Sequence, residues 1–382
     1  MSTFALSDEH RRLVEQTRRL AAEALAPVAE AGEPGLVNRP LLAALARHGL
    51  LGRLFPARHG GSRRDDRISA LELCMLREAL AQGSTEAETA LALQGLGAYP
   101  ILLSGTDPQA ARWIPPVARG EAVAAFALTE PGHGSDAASL ELAAEADGNG
   151  WRLTGEKAYI SNAPHADLYI VFARTGGDAG ARGVTAFVVP GEADGLAGDP
   201  IELISPHPIG RLRFDRVRVD RSSLLGEVGG GFPVAMRTLD LFRPSVGAFA
   251  VGMAQAALDA AVHHAAGRRA FGRPLSEFQA VSHPLAEAAT RTEAARLLVY
   301  AAASRYDADP ADPGVTRASA MAKLFATETA QRVVDTAIQV HGARALERGH
   351  LLERLYREVR APRIYEGTSE IQRSIVAREL FR

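Results

Sequence analysis

The stretch Arg363-Ile-Tyr-Glu-Gly-Thr-Ser-Glu-Ile-Gln372 places one carboxylate, Glu366, between an aromatic residue and a glycine. Ser369 and Gln372 have the spacing of a capping box, which predicts that a helix begins here. The apolar residues that follow recur at helical spacing, at Ile371, Ile375, Val376 and Leu380. A carboxylate held on such a turn can be aimed into a cavity and act as a base. Because an isolated loop glutamate is more often solvated, the rest of the chain must decide between the two interpretations.

Composition sets the broad class of protein. The chain has 382 residues, 47% of them hydrophobic, which predicts a large core and two or three domains. A net charge of -2 does not indicate binding to nucleic acid or to a membrane surface. The basic residues are almost all arginine, and Lys157 and Lys323 are the only lysines, a bias that we interpret as compositional. The single cysteine, Cys74, excludes an intramolecular disulfide and any multi-cysteine metal site, and its apolar surroundings predict buried packing.

The N-terminal residues show no basic start followed by an apolar block, so we expect no signal peptide. No run of about 18 apolar residues is evident, so we also expect no membrane span. These features predict a cytoplasmic protein.

The order of secondary structure along the chain is predicted to be α, β, α. Helical patterns dominate residues 7 to about 120, and short β-branched or alternating runs follow from Val123 to Val219. Long helical patterns then return, over about 232–267, 275–305, 313–341 and 368–381. The predicted domains are a helical domain at 1–122, a β-barrel or sandwich at 123–228 and a helical bundle at 229–382. Helices this long and apolar also predict an oligomer.

The loop Leu128-Thr-Glu-Pro-Gly-His-Gly-Ser-Asp136 contains a partial dinucleotide fingerprint. A strand from Ser139 to Glu145 and a turn at 147–150 are predicted to follow, so no βαβ unit is present and we reject the dinucleotide interpretation. The two glycines would let the backbone approach a ligand, and Thr129, Ser135 and backbone N–H groups could hold phosphate or carbonyl oxygens. The alternative is an ordinary Pro-Gly turn.

Tyr159 and Ser161 are two residues apart in a predicted strand, which places both on one face, where they could bind a flat ring. A half-exposed strand pair is the alternative. Arg243 lies in an apolar helix and needs an anionic partner or several hydrogen bonds. Arg268 and Phe271 could clamp a nucleotide, or belong to a solvated helix end. His341 has no companions with metal-ligand spacing, so we expect no metal site.

Taken together, and in this order, seven segments resemble the acyl-CoA dehydrogenase family of flavoproteins over nearly the whole chain. They are 127–136, 153–162, 214–219 with 224–232, Arg268-x-x-Phe271-Gly272, 322–325, 339–342 and 364–372. The resemblance implies an α+β fold with an N-terminal α-helical domain, a middle β-barrel and a C-terminal four-helix bundle. It also implies FAD between barrel and bundle, and a dimer or tetramer of identical subunits.

The resemblance assigns roles to individual residues. Leu128 and Thr129 would meet the flavin ring, Ser135 the pyrophosphate, and Tyr159 and Ser161 the isoalloxazine. The residues expected at the adenine end, across a subunit interface, are Arg268, Phe271, Gln279, Gln339 and Gly342. Thr368 and Glu370 would flank the cofactor again. The residues expected on the substrate side are Arg243, Phe242, Tyr365 and Gly367.

Glu366 then becomes the expected base. Family chemistry removes a proton α to a thioester carbonyl while a hydride leaves the β carbon for flavin N5. The carbonyl oxygen would accept hydrogen bonds from a flavin ribityl hydroxyl and from the Glu366 N–H. Some family members place the base on the helix before Arg243, where this chain has Phe242, which cannot accept a proton.

Several positions depart from the family pattern. Tyr159 stands where tryptophan is usual and Ser161 where threonine is common, while Ala343 replaces a glycine and His133 a small residue. The segment from Ser205 to Arg213 is atypical, with Ser205 at the position of an expected arginine. It is similar to branches that act in secondary metabolism, such as polyketide extender-unit pathways with carrier-protein thioesters.

The leading hypothesis is an FAD-dependent dehydrogenase of a small acyl-CoA or acyl-carrier-protein thioester that passes electrons to a flavoprotein acceptor. The first alternative is a flavin oxidase or monooxygenase that oxidises a hydroxylated or aldehyde carrier-protein intermediate. The second is a non-enzymatic or nucleic-acid-associated flavoprotein, which the near-neutral charge and the presence of Glu366 disfavour. Chain length, acyl carrier and electron acceptor stay open at this point.

Overall fold

The computed structural model of the protein describes residues 6–176 and 180–381. Within these ranges the elements follow the predicted order of helices, strands and helices. Residues 1–5, on which the expectation of no signal peptide partly rests, lie outside the described residues.

The N-terminal part is helical. Its helices are α1 (Asp8–Leu20), α2 (Ala26–Glu30), α3 (Arg39–Arg47), α4 (Ala70–Gly83), α5 (Thr85–Ser104) and α6 (Asp107–Ala118). The Ser7 hydroxyl accepts a hydrogen bond from the His10 N–H at 3.2 Å, so Ser7 is the N-cap of the first helix. Thr106 and Gln109 form a reciprocal capping box at the start of α6.

The middle part forms one sheet of eight strands among the described residues. The strands are β1 (Ala124–Ala127), β2 (Ala143–Asp147), β3 (Gly150–Ser161), β4 (Leu168–Arg174), β5 (Val184–Pro190), β6 (Leu196–Pro200), β7 (Ile209–Asp220) and β8 (Leu224–Leu225). Their order is β6-β7-β3-β2-β4-β5-β8, and β1 pairs in parallel with β4. β4 and β5 are buried on both faces, which explains their continuous apolar sequence. β7 alternates because only one of its faces is buried.

The predicted strand from Ser139 to Glu145 is partly wrong. Residues Ala137–Ser139 form a short 3-10 turn, and the strand begins only at Ala143. The Leu142 carbonyl bonds to the Arg174 N–H before the strand begins. The predicted turn is confirmed, because Asp147 pairs with Gly150 across a tight hairpin.

The C-terminal part returns to helix. Its elements are α7 (Gly231–Gly267), the short strands β9 (Arg269–Ala270) and β10 (Arg273–Pro274), and then α8 (Gln279–Ala308), α9 (Val315–His341), α10 (Leu351–Glu358) and α11 (Ser369–Leu380). The second long helix starts at Gln279 and not near 275, because a hairpin and a 3-10 turn, Leu275–Glu277, occupy the intervening residues.

Contacts divide the chain into two compact units. One contains residues 1–26, 69–88 and 240–382 and is helical, and the other contains 27–68 and 89–239 and carries the sheet. This division differs from the three predicted domains, whose boundaries stay a prediction. In the helical unit, buried Cys74 has a pKa raised well above the usual thiol value by burial, as expected of a packing residue.

Among the described residues, one helix, α7, is long and apolar enough to span a membrane by length and composition alone. The helix does not overturn the expectation of no membrane span, because 78% of its most apolar window is buried inside the protein. Such burial is typical of a core helix.

Candidate active site

Glu366 lies on a left-handed turn that joins a 3-10 segment, Ala361–Arg363, to α11. Its φ is +52°, and the following Gly367 has φ +92°. A non-glycine residue in this region is uncommon and costs about 1–3 kcal/mol, so surrounding contacts must hold it. The conformation of this turn must therefore be stabilised by contacts with the rest of the fold.

The predicted capping box at Ser369 is wrong by one residue. Thr368 is the N-cap, and its hydroxyl accepts from the Ile371 N–H at 3.3 Å. The Ser369 hydroxyl instead donates to a carboxylate oxygen of Glu328 at 2.6 Å. The amide of Gln372 does not reach back to the cap. It donates to the carbonyl oxygens of Glu366 and Gly367 at 3.1 and 3.0 Å, so it fixes the turn.

Two cations hold the same turn from the other side. The ammonium of Lys323 on α9 donates to the carbonyl oxygens of Tyr365 at 2.9 Å and Gly367 at 2.5 Å. Nε of Arg243 on α7 lies 3.5 Å from the Glu366 carbonyl oxygen. The backbone on both sides of the carboxylate is thus anchored to two long helices.

The Glu366 carboxylate is electrostatically unusual. Its Oε2 is buried and has no hydrogen-bond partner among the described residues. Burial raises the pKa of Glu366, and the positive charges of Arg77, Lys323 and Arg243 oppose that rise. Burial also lowers the pKa of Lys323 to about 8, although the Glu366 charge acts in the opposite direction. A desolvated carboxylate with a free oxygen has the properties of a general base.

The main chain of the turn leaves one donor free. The N–H of Glu366 makes no hydrogen bond among the described residues, whereas the preceding N–H of Tyr365 bonds to the Ala361 carbonyl at 3.2 Å. A free N–H next to a buried carboxylate could donate to a substrate carbonyl oxygen.

Arg243 has the anionic partner that its sequence environment demands. Its Nη1 donates to Asp240 Oδ1 at 2.8 Å, and the Thr316 hydroxyl donates to Asp240 Oδ2 at 3.0 Å. Burial raises the pKa of Asp240, and the Arg243 charge opposes it. Phe242 is fully buried beside them. Asp240, two residues before the alternative base position at Phe242, therefore already accepts a hydrogen bond at each of its carboxylate oxygens.

In the sheet unit, a buried ion pair positions the end of β1. Lys157 donates to the Leu128 carbonyl at 2.9 Å and to Glu130 at 2.8 Å, and both charged side chains are at most 5% exposed. Burial lowers the pKa of Lys157 to about 8 despite Glu130. The Ala158 N–H donates to the Thr129 carbonyl at 3.0 Å. Leu128 and Thr129 are thereby brought beside β3, next to Tyr159.

Tyr159 is 57% exposed and has φ +56°. The β3–β7 ladder shifts register between Lys157 and Ile160. Because of this irregularity, strand alternation alone is not sufficient to show that Tyr159 and Ser161 lie on one face, and that placement stays a prediction. Ser161 pairs with Ile209, and the Asn162 N–H donates to the Pro208 carbonyl at 2.8 Å. The atypical Ser205–Arg213 segment therefore borders this end of β3, with Ser205 itself buried.

The chemistry of this sheet face fits a flavin nucleotide. Ser135 is exposed on a loop in which a Cβ added at Gly132 or Gly134 would meet nothing within 4 Å. Hydroxyl groups, an open glycine loop and an outward aromatic ring suit phosphate oxygens and a planar ring. Of the residues expected at the flavin and pyrophosphate, Ser135 and Tyr159 are exposed and Thr129 and Ser161 are half-buried, whereas Leu128 is buried.

The residues expected at the adenine end lie on the helical unit. Arg268 follows α7, and Phe271 and Gly272 form the two-residue turn of the β9–β10 hairpin with φ +50° and +83°. Phe271 is 95% exposed, and Gln279, Gln339, Gly342 and Glu370 are exposed as well. The ring of His264 stacks on His341 with centroids 4.2 Å apart, which brings the C-terminal ends of α7 and α9 together.

Sequence reasoning missed three residues that hold or polarise the site, namely Lys323, Arg77 and Gln372. A usable signal existed for Lys323. In a chain whose other cations are arginine, each of its two lysines, Lys157 and Lys323, is fully buried and supports a functional turn. The two lysines are therefore required at their particular positions, and the interpretation of the arginine bias as purely compositional was incomplete.

Three family models match the chain. They are the acyl-CoA dehydrogenase N-terminal domain over residues 7–121, the middle domain over 125–217 and the C-terminal domain over 229–381.

Curated relatives match over almost the whole length. A 3-(aryl)acrylate reductase of Clostridium sporogenes is 37% identical, with 98% of this chain and 99% of that protein covered. The caffeyl-CoA reductase-Etf complex subunit CarC of Acetobacterium woodii is 36% identical, with 94% and 93% covered.

Solved structures match equally fully. Butyryl-CoA dehydrogenase from Megasphaera elsdenii has a TM-score of 0.93 and 33% identity, with all of both chains covered. The prolyl acyl carrier protein oxidase AnaB has a TM-score of 0.90 and 28% identity, with 98% of this chain and 100% of that one covered.

Proposed function

The chain belongs to the acyl-CoA dehydrogenase family, and from that premise we propose that it oxidises a small acyl thioester with Glu366 as the base. It is a flavoprotein oxidoreductase that uses FAD and acts on CH–CH groups.

One observation carries the assignment of the base. Oε2 of Glu366 is buried without a hydrogen-bond partner among the described residues, on a turn that Lys323, Arg243 and Gln372 hold in a left-handed conformation. A buried carboxylate oxygen left without a partner is unfavourable unless a ligand uses it. A structural glutamate would be expected to have both oxygens bonded or solvated.

The groups of this chain divide the work of proton removal. Glu366 would accept the proton from the carbon α to the thioester carbonyl, and its raised pKa would strengthen it as a base. The free Glu366 N–H would donate to the carbonyl oxygen, where negative charge develops. Arg243 and Lys323 would keep both groups in place through the backbone. FAD, which Leu128, Thr129, Ser135, Tyr159 and Ser161 would hold, would supply the hydride acceptor.

We propose a small acyl group on coenzyme A or on an acyl carrier protein, with a role in secondary metabolism. The name of the AnaB neighbour, a prolyl acyl carrier protein oxidase, supports a carrier-protein thioester. The atypical Ser205–Arg213 segment, next to the Ser161 end of β3, is the place where we expect acyl selection to differ from relatives.

The electron acceptor is proposed to be an electron-transfer flavoprotein. The relative named as a subunit of a caffeyl-CoA reductase-Etf complex supports this choice. We also propose a cytoplasmic homo-oligomer, a dimer or tetramer. Its support is the exposure of Phe271, Gln339 and Gly342, which in the family bind FAD across a subunit interface.

A second candidate function is that of an oxidase, in which the reduced flavin passes its electrons to oxygen. The name of the AnaB neighbour, an oxidase, supports this candidate. Such an enzyme would oxidise a carrier-protein intermediate, and its reduced flavin would be consumed by oxygen.

One experiment tests both functions. The FAD-bound protein is mixed anaerobically with acyl-CoA and acyl-carrier-protein thioesters of matched acyl groups, and flavin absorbance is followed. We expect bleaching by at least one small acyl thioester. The reduced protein is then mixed with oxygen or with an electron-transfer flavoprotein. Slow reaction with oxygen and fast reaction with the flavoprotein support the dehydrogenase, and the reverse order supports the oxidase. A flavin that stays oxidised with every thioester contradicts both.

A further inference from the structure

A buried ion pair in the helical unit has no assigned contact with substrate, although the charge of its arginine lowers the pKa of Glu366. Nε of Arg77 on α4 donates to a carboxylate oxygen of Glu88 on α5, and the two side chains are 4% and 0% exposed. Removing two charges from water is costly, and well-packed apolar residues often serve stability as well as a buried pair does. The pair therefore calls for a reason beyond packing.

Hydrogen bonds place this pair beside the candidate base. Nη1 of Arg77 donates to the Ser245 hydroxyl at 2.6 Å, and that hydroxyl donates to the Phe242 carbonyl at 2.7 Å. Phe242 and Ser245 are on either side of Arg243, whose Nε lies 3.5 Å from the Glu366 carbonyl oxygen. Arg77 is thus fixed to the turn of α7 that holds the catalytic loop. Its positive charge is also the largest of those that lower the pKa of Glu366.

Arg77 retains unused donors. A guanidinium has five N–H groups in a fixed plane. Among the described residues, its hydrogen bonds use Nε and Nη1, and no acceptor bonds to Nη2. The Phe249 ring lies 5.9 Å from its Cζ, and the whole side chain is only 4% exposed. Unused donors in such a place favour a ligand that brings an acceptor.

Charge balance narrows the chemistry of that acceptor. Glu88 neutralises Arg77, Asp240 neutralises Arg243, and the charge of Lys323 offsets that of Glu366, so the buried charges around the candidate base already balance. A carboxylate on the substrate would raise the pKa of Glu366 further and carry an unbalanced negative charge into a buried place. A neutral oxygen, as in a hydroxyl, an ether or a carbonyl group, would satisfy the N–H groups without either cost.

We propose that Arg77, held by Glu88 and Ser245, is a specificity residue that binds a neutral oxygen on the acyl group of the substrate. The acyl group would then be an oxygen-bearing chain and not a plain alkyl chain. This inference rests on the proposed function of Glu366.

The test compares thioesters of equal length. Pentanoyl-CoA is the plain chain, and 3-methoxypropanoyl-CoA replaces one of its methylenes by oxygen. The 2-, 4- and 5-hydroxypentanoyl esters move the oxygen along the chain, and each is also offered on a carrier protein. The rate and concentration dependence of anaerobic flavin bleaching give a specificity ratio for each ester against pentanoyl.

We expect at least one oxygen-bearing ester to be preferred by about tenfold to a hundredfold, which is the typical cost of leaving a buried donor unpaired. The double variant Arg77→Met/Glu88→Leu removes both charges and so avoids an unpaired buried carboxylate. Its ratio should fall to about one. Arg77→Lys should fall in between, because a lysine keeps the charge but not the planar set of donors. The matched control Arg291→Met/Glu287→Leu alters an exposed pair on α8 and should keep the wild-type ratio.

Each other outcome is decisive. If the wild type bleaches equally with pentanoyl and every oxygen-bearing ester, the inference is wrong while the proposed function stands. If the double variant is less stable but keeps the wild-type ratio, Arg77 is structural and the inference is overturned. If no thioester bleaches the wild-type flavin, the proposed function fails and this inference fails with it.

Discussion

The ammonium of Lys323 lies 2.5 Å from the carbonyl oxygen of Gly367, the residue that follows the candidate base. This contact joins the middle of a buried helix to a turn that backbone preferences alone would not form. The position of Glu366 is consequently a property of the helical core and not of the loop sequence.

Replacement of Lys323 by methionine should loosen the turn. The variant leaves the carbonyl oxygens of Tyr365 and Gly367 without their donor, so we expect a loss of about 2–4 kcal/mol in the free energy of unfolding. Thermal unfolding of the FAD-bound protein measures it. Arg332→Met on the exposed face of the same helix is the control and should change stability by at most about 0.5 kcal/mol. Equal effects of the two variants would mean that Lys323 does not support the turn.

Gly367 should not tolerate alanine. Its φ is +92°, and an added Cβ would lie 2.6 Å from the Gln372 amide nitrogen that holds the turn. Gly349 offers a matched control, because its φ is +86° and an added Cβ would meet nothing within 4 Å. Both alanine variants share the backbone penalty of about 1 kcal/mol, but only Gly367→Ala should also slow flavin bleaching. Similar bleaching rates in both variants would contradict the assignment of this contact.

The pH dependence of bleaching should report the raised pKa of Glu366. Below that pKa the carboxyl is protonated and cannot accept a proton, so the rate should rise with pH through a value above the ordinary glutamate pKa of about 4.3. Lys323→Met and Arg77→Met each remove a positive charge that lowers this pKa, so both should move the rise to higher pH. The shift is read from pH profiles with one substrate. A rise at an ordinary carboxyl pKa, unmoved by either variant, would show that the titrating group is not Glu366.

The buried pair of Glu130 and Lys157 should matter far more for stability than an exposed pair in the same sheet. Glu130 also accepts from the N–H groups of Glu141 and Leu142 at 2.6 and 2.9 Å. Lys157→Met leaves Glu130 buried without its cation and should cost about 3–5 kcal/mol. Arg213→Met, which breaks a pair with Asp199 whose side chains are 54% and 60% exposed, should cost about 0–1 kcal/mol. Thermal unfolding compares them, and equal costs would contradict the structural role given to Lys157.

The sequence predicted the fold class because strand and helix patterns were long and consistent. β4 and β5 are continuous apolar runs, and α9 ends at His341 as its pattern indicates. The prediction of the capping box failed because of one competing side-chain contact. Ser369 had the spacing of an N-cap, but its hydroxyl donates a hydrogen bond to Glu328, and Thr368 caps the helix instead. No local pattern reports such a long-range partner.

The candidate site was also only partly predictable from the sequence. Glu366 was identifiable from its turn and from family resemblance, but the groups that tune it come from distant parts of the chain. Arg77, Arg243 and Lys323 belong to three different helices, and only the folded chain brings their charges to one carboxylate. The bulge that gives Tyr159 a positive φ likewise depends on the register of β3 against β7.

The central claim, that Glu366 is the base, is tested by the rate of anaerobic flavin bleaching in Glu366→Gln. The variant should bind FAD with the wild-type flavin spectrum, because Glu366 holds the turn through its backbone and not through its carboxylate. With the best thioester substrate, its bleaching should be slower by at least about a thousandfold. Bleaching within about tenfold of the wild-type rate, in a variant with full FAD content, would contradict the account.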